Sequence, residues 1–129
     1  MEQKFFEEVT VGERKYQIYR KTGRDALHLD VKVIDLMAEL QGIRMTAGEL
    51  GRRVISLYAK MPKEDFDSLV IDTIGGIVFV GENGEKTVKL DSDNLWDHFA
   101  GRVSDLYSLM MEAWRVYELT PFAQMRAGS

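Results

Sequence analysis

Few residues in this 129-residue chain are of a type that does chemistry. There are two histidines, His28 and His98, and no cysteine. Lack of cysteine removes disulfides, thiolate metal sites and sulfur nucleophiles together. Asp97 directly precedes His98, but neighbours on a helix point in different directions, so the pair is not expected to share a metal ion or a proton. A structural role is expected for both histidines. Ser56, Ser68, Ser104 and Ser108 fall in helical patterns, where a hydroxyl faces water or the backbone, and nothing resembles a nucleophile elbow. Gly81–Gly84 lacks the Lys-Ser/Thr and following helix of a phosphate-binding loop. Asp65, Asp67 and Asp72 lack the loop spacing of a calcium site and read as a solvated acidic helix face. No catalytic residue, metal ligand or cofactor site is therefore expected.

Two short constellations are sharper than this background. In Asp97-His98-Phe99-Ala100-Gly101-Arg102, Arg102 can reach back to His98 or forward to Asp105, and only the second spacing forms an ion pair. Gly101 would permit a kink or the close approach of another backbone. We read Asp97, His98, Gly101 and Arg102 as a structural motif. Thr22-Gly23-Arg24-Asp25-Ala26-Leu27 is similar in kind, with Asp25 placed where a helix dipole favours negative charge.

The elements that must position these residues follow from periodicity. Residues 4–11 and 15–20 alternate with a period of two around Gly12, which predicts a hairpin. Thr22 offers a cap for a helix over Arg24–Gln41, with Leu29, Val33, Leu36 and Leu40 at helical spacing, Ala26, Ile34 and Met37 widening the stripe, and Gly42 as the stop. A second helix is expected from Thr46 or Gly48 to Lys60, and a third over Lys63–Thr73 after Pro62, ended by Gly75-Gly76. Ile77–Val80 and Thr87–Leu90 flank Asn83-Gly84, a second hairpin signal. The last helical region, Leu95 to Leu119, follows a capping choice among Asp91, Ser92 and Asp93 and is expected to break near Ala100-Gly101.

In that region Phe99, Val103, Leu106, Met110, Ala113 and Tyr117 form a seam-like apolar face. Trp96, Tyr107, Trp114 and Val116 broaden it beyond what one buried face needs. Clustered aromatics of this kind mark either a core or an interaction surface. Tyr58, Trp114 and Tyr117 are accordingly the candidate protein-binding residues. The fold class is α+β: a mainly helical domain over 1–122, with an N-terminal hairpin, a second hairpin and a long C-terminal helix, then a flexible tail over 123–129.

Composition fits this reading. Hydrophobic residues make up 45% and charged residues 29%, ordinary for a globular domain. Net charge is −4, divided as +2 over residues 1–60 and −6 over 61–129. That balance argues against nucleic acid as the main partner. Arg14, Lys15, Arg20, Lys21 and Arg24 form the densest basic patch, read as solvated surface because it lacks interleaved stacking aromatics. No run approaches the roughly 18 apolar residues of a membrane span, and the N-terminus lacks the apolar core of a signal peptide. A cytoplasmic location follows as the expectation.

At three places the sequence resembles the tail assembly chaperones of long-tailed bacteriophages and prophages. These are Tyr16-Gln17-Ile18 leading into Thr22–Leu27, Phe66–Gly76 followed by the Val78–Lys89 hairpin, and His98-Phe99-Ala100-Gly101-Arg102 followed by Leu106-Tyr107 and Glu112-Ala113. Many members end a similar stretch with an asparagine-containing motif; here Val116–Phe122 carries no asparagine. The resemblance implies a non-enzymatic, ATP-independent chaperone in the cytoplasm of the bacterial host. Its partners would be a helical tape-measure protein and tail-tube subunits, with self-association as a further option and no membrane partner. A structural virion component, such as a tail completion or head–tail joining protein, is the alternative. A small enzyme or nucleic-acid-binding regulator stands behind both.

Overall fold

Gly12 and Glu13 take φ of +55° and +70°, so two left-handed residues turn the chain in the manner of a type I′ hairpin. The turn joins β1 (Phe6–Val11) to β2 (Arg14–Tyr19). These positions come from a computed structural model, which describes residues 6–40 and 46–122. Three helices follow: α1 (Gly23–Leu36), α2 (Ala47–Ala59) and α3 (Lys63–Ile74). The chain returns to β3 (Val78–Val80) and β4 (Val88–Lys89), followed by α4 (Leu95–His98), α5 (Val103–Val116) and a helical turn over 120–122. The α+β class and both hairpins are as expected.

The two hairpins are halves of one sheet. Strand order is β1-β2-β3-β4, every pair antiparallel. Because side chains alternate between faces, the register defines one inward row across all four strands: Val9, Tyr16, Phe79 and Val88. Tyr16 and Phe79 are buried, with ring centroids 5.8 Å apart, and Phe99 stacks on Tyr16 at 6.3 Å. In the second hairpin Glu85 N–H donates to the Glu82 carbonyl across Asn83 and Gly84, both at positive φ, confirming that turn signal.

Helix ends depart from expectation in instructive ways. Thr22 occupies the N-cap of α1 with extended backbone but its side chain makes no capping bond. Thr46 caps α2, accepting from Glu49 N–H at 3.2 Å. α1 stops at Leu36, short of Gln41, because buried Met37 turns the chain into a 3₁₀ turn over Ala38–Leu40. The expected stop at Gly42, the expected tail over 123–129 and residues 4–5 of the first strand lie outside the described residues. None of Asp91, Ser92 and Asp93 is the N-cap of α4, which is Asn94 without a side-chain cap; the Asp91 carboxylate instead holds the preceding turn, accepting from Asp93 and Asn94 N–H at 2.8 and 2.9 Å.

The final helical region is broken where glycine permits it. Gly101 has φ +72°, and Arg102 N–H donates to the Phe99 carbonyl across the turn. This turn resets the helical phase. Phe99, Leu106, Met110 and Ala113 are buried, but Val103, expected in the same seam, is 54% exposed. Leu69 is buried and Leu36 only partly so. α5 ends in a Schellman arrangement: Glu118, at φ +55°, donates to the Arg115 carbonyl, and Leu119 to that of Trp114.

Candidate protein-binding surface

Of the three aromatics singled out from sequence, Trp114 and Tyr58 sit in the interior and Tyr117 is half-buried. Trp114 is 0% exposed, and its indole N–H donates to the Thr73 hydroxyl at 3.0 Å. Thr73, on α3, is itself fully buried, so the pair satisfies two polar groups that would otherwise be stranded. Tyr58 is buried against Phe66, Tyr107 and Trp114, at centroid distances of 5.3, 5.3 and 6.4 Å. Its hydroxyl has no hydrogen-bond partner among the described residues, and burial pushes its pKa far up. Tyr117 is half-buried, donates to the Thr73 carbonyl at 2.7 Å, and also has its pKa raised by burial. Expected on an open apolar face, Trp114 and Tyr58 instead join α2, α3 and α5, while Tyr117 ties the end of α5 to α3 and keeps part of its surface open. The surplus of aromatics on α5 is explained by packing.

The Asp97–Arg102 constellation is resolved in part as expected. Arg102 pairs with Asp105 at 3.5 Å. Asp97 is exposed, and His98 turns away from it toward β2. The Tyr16 hydroxyl lies 2.8 Å and the Arg14 guanidinium 3.4 Å from His98 Nε2. A guanidinium can only donate, so the Arg14 contact fits the tautomer in which Nε2 accepts and Nδ1 carries the proton. Phe79 and Phe99 flank the imidazole at 4.9 and 4.8 Å. Burial, reinforced by Arg14 and Arg102 and opposed by Glu85, lowers the His98 pKa and keeps the ring neutral. A side chain at Gly101 would meet nothing within 4 Å, so that glycine serves the turn and no backbone approaches it.

The open apolar surface lies elsewhere. On α1, Leu29 and Val33 are buried, whereas Leu27 and Val31 are 67% and 64% exposed. At 3.6 residues per turn the two pairs stand about 160° apart around the helix. Arg24, Leu27, Val31 and half-buried Ile34 step along the outward side at intervals of three and four, the spacing by which one helix packs on another. α1 is amphipathic, and the outer side of such a helix is normally polar; here exposed Arg24, His28, Lys32 and Asp35 share it with Leu27 and Val31. The core stripe read from the sequence, with Leu29, Val33 and Met37 buried as members of it, omits Leu27 and Val31, which fall outside its spacing and were given no role. The missed signal was a pair of aliphatic side chains four residues apart on the side of α1 that also carries exposed Arg24, His28 and Asp35.

A family profile described as "Phage tail assembly chaperone protein, TAC" matches residues 12–122. That span includes both hairpins beyond the first strand, α1 to α5 and the outward stripe of α1. The chain belongs to the phage tail assembly chaperone family, and its role is in tail assembly. Comparison with curated proteins and with solved structures finds no match. Among the described residues no helix is long and apolar enough to cross a membrane, and no group of three or more His, Cys, Asp or Glu side chains is placed to hold a metal ion.

Proposed function

We propose that this chain acts in tail assembly by binding the tape-measure protein, without catalysis and in the host cytoplasm, until tail-tube subunits assemble around that client. The observation carrying the reading is the outward stripe of α1, with Leu27 and Val31 exposed at coiled-coil spacing. Such a stripe suits an amphipathic client helix, whose own apolar anchors would recur at the same intervals. Arg24 and Asp35, both exposed on that side, favour a client helix with complementary charges at its ends. Burying two aliphatic side chains contributes roughly 1.5–3 kcal/mol each.

The test is co-expression of the chain with the tape-measure-like protein from the same phage or prophage. Wild type should keep the client soluble and be retained with it. Leu27→Asp with Val31→Asp should abolish retention while the melting temperature stays close to wild type, because surface substitutions seldom change stability by more than about 0.5 kcal/mol. A wild-type chain that neither solubilises nor retains the client contradicts the reading. So does stable incorporation into finished particles, which favours a virion component.

A further inference from the structure

The basic patch seen in the sequence does not behave as one surface. Arg14 turns inward, its guanidinium 5.4 Å from the Phe79 ring centroid, and Lys15 pairs with Glu82 at 3.2 Å. Arg20 and Lys21 instead border an open cleft of about 420 Å³. The cleft exists because of a missing side chain. Continuing the β2–β3 register two residues past Gln17 and Val78 sets Tyr19 opposite Gly76. There φ is +95°, and an added Cβ would meet nothing within 4 Å. The sheet is still bonded here, Gly76 N–H donating to the Leu90 carbonyl at 2.9 Å, so the gap is held open by fixed backbone.

Three cations surround this gap, and none of its lining residues is acidic. The Lys21 ammonium stands 5.3 Å from the centroid of the Tyr117 ring. Burial lowers its pKa, with Asp25 and Asp72 opposing that shift. Tyr117 is fixed by its bond to Thr73, so Lys21 has a firm platform. Arg20 and Lys89 are exposed and form no ion pair among the described residues. Like charges gathered around one concavity repel each other, and an anion arriving there relieves that repulsion. The wall on the opposite side is Tyr19, which is 41% exposed and packs on Phe6 at 5.1 Å.

We propose that this cleft binds the carboxylate of an acidic side chain on a partner polypeptide. The carboxylate accepts from Arg20, Lys21 and Lys89, and the adjoining methylenes and backbone of the partner lie on Tyr19. A polypeptide fits better than nucleic acid for two reasons. The chain carries −4 overall, and Asp25 and Asp72 act on Lys21 from close by; both oppose a continuous polyphosphate but tolerate an isolated carboxylate.

The probe is a short, end-capped, dye-labelled peptide of Glu-Ala-Leu repeats, titrated by fluorescence anisotropy at low salt against the whole chain. A Gln-Ala-Leu peptide and an oligothymidylate are the comparison ligands. The glutamate peptide should bind at least about tenfold more tightly than the glutamine peptide, as charge-assisted hydrogen bonds require. Combined Arg20→Glu and Lys89→Glu should remove that preference with melting unchanged. Gly76→Asn, a side chain that tolerates positive φ, should fill the gap and weaken binding too. Equal affinity for the two peptides overturns the proposal, as does undiminished binding by the charge-reversed chain. Tighter oligothymidylate binding that depends on the same residues also overturns it.

Discussion

Valine in place of Thr73 changes one oxygen to a methyl group at a position with no solvent access. Shape is kept, but the Trp114 indole N–H, which donates to that oxygen at 3.0 Å, loses its acceptor. A buried donor left unsatisfied costs about 1–3 kcal/mol. Unfolding entropy of about 2.1 cal/mol/K per residue gives about 0.27 kcal/mol/K for a chain of this length, so the melting temperature should fall by roughly 4–11 °C. Trp114→Phe removes the donor instead and strands the Thr73 hydroxyl. The double variant should be less destabilised than the two single effects added, with a coupling of about 0.5–3 kcal/mol. Urea and thermal unfolding of the four proteins measure this directly. Thr73→Val melting at the wild-type temperature, or strictly additive effects, would refute the buried Trp114–Thr73 pair. The same geometry bears on binding assays. Trp114→Ala should cost about 3–5 kcal/mol, a large part of the 5–15 kcal/mol typical of a whole domain, so loss of binding in that variant would report unfolding.

Further expectations concern the interior polar groups. Tyr58→Phe removes a buried hydroxyl without a described partner and should leave the melting temperature unchanged or raise it, by up to about 1 kcal/mol of stability; a clear loss on differential scanning calorimetry would show that the hydroxyl is satisfied. His98 has its pKa lowered in the folded chain. Below the unfolded-state value near 6.5 the unfolded chain therefore takes up the proton more readily, and stability should fall as pH drops below about 6.5. His98→Gln should flatten that slope in denaturant titrations at several pH values, and an equal slope in wild type and variant contradicts the neutral assignment.

The local elements were legible because each has its own period and its own breakers. Gly12, Asn83-Gly84, Pro62 and Gly101 all mark turns or starts that the chain uses. The joining of the hairpins was not legible, since β2 meets β3 only after three helices and neither strand encodes its partner. His98 shows the same limit: its Asp97 neighbour was visible, whereas Tyr16, its actual partner, lies 82 residues away. Trp114 was ambiguous between core and surface until Thr73 was placed beside it. Val103 was assigned to the seam because periodicity was carried through Gly101, where positive φ interrupts it. For α1 the buried side was legible, with Leu29, Val33 and Met37 in the expected stripe, but nothing in the spacing gave a role to Leu27 and Val31 on the open side.

The central claim is that the outward side of α1 meets the tape-measure protein, and site-specific photocrosslinking tests it most directly. A benzophenone amino acid placed at Leu27 or Val31, in cells co-expressing both proteins, should yield a covalent adduct between chaperone and client. The same group at exposed Ser92, remote in sequence from α1, should yield little. Adducts from Leu27 and Val31 only to a second copy of the chain, or client adducts from Ser92 equal to those from α1, would contradict the account.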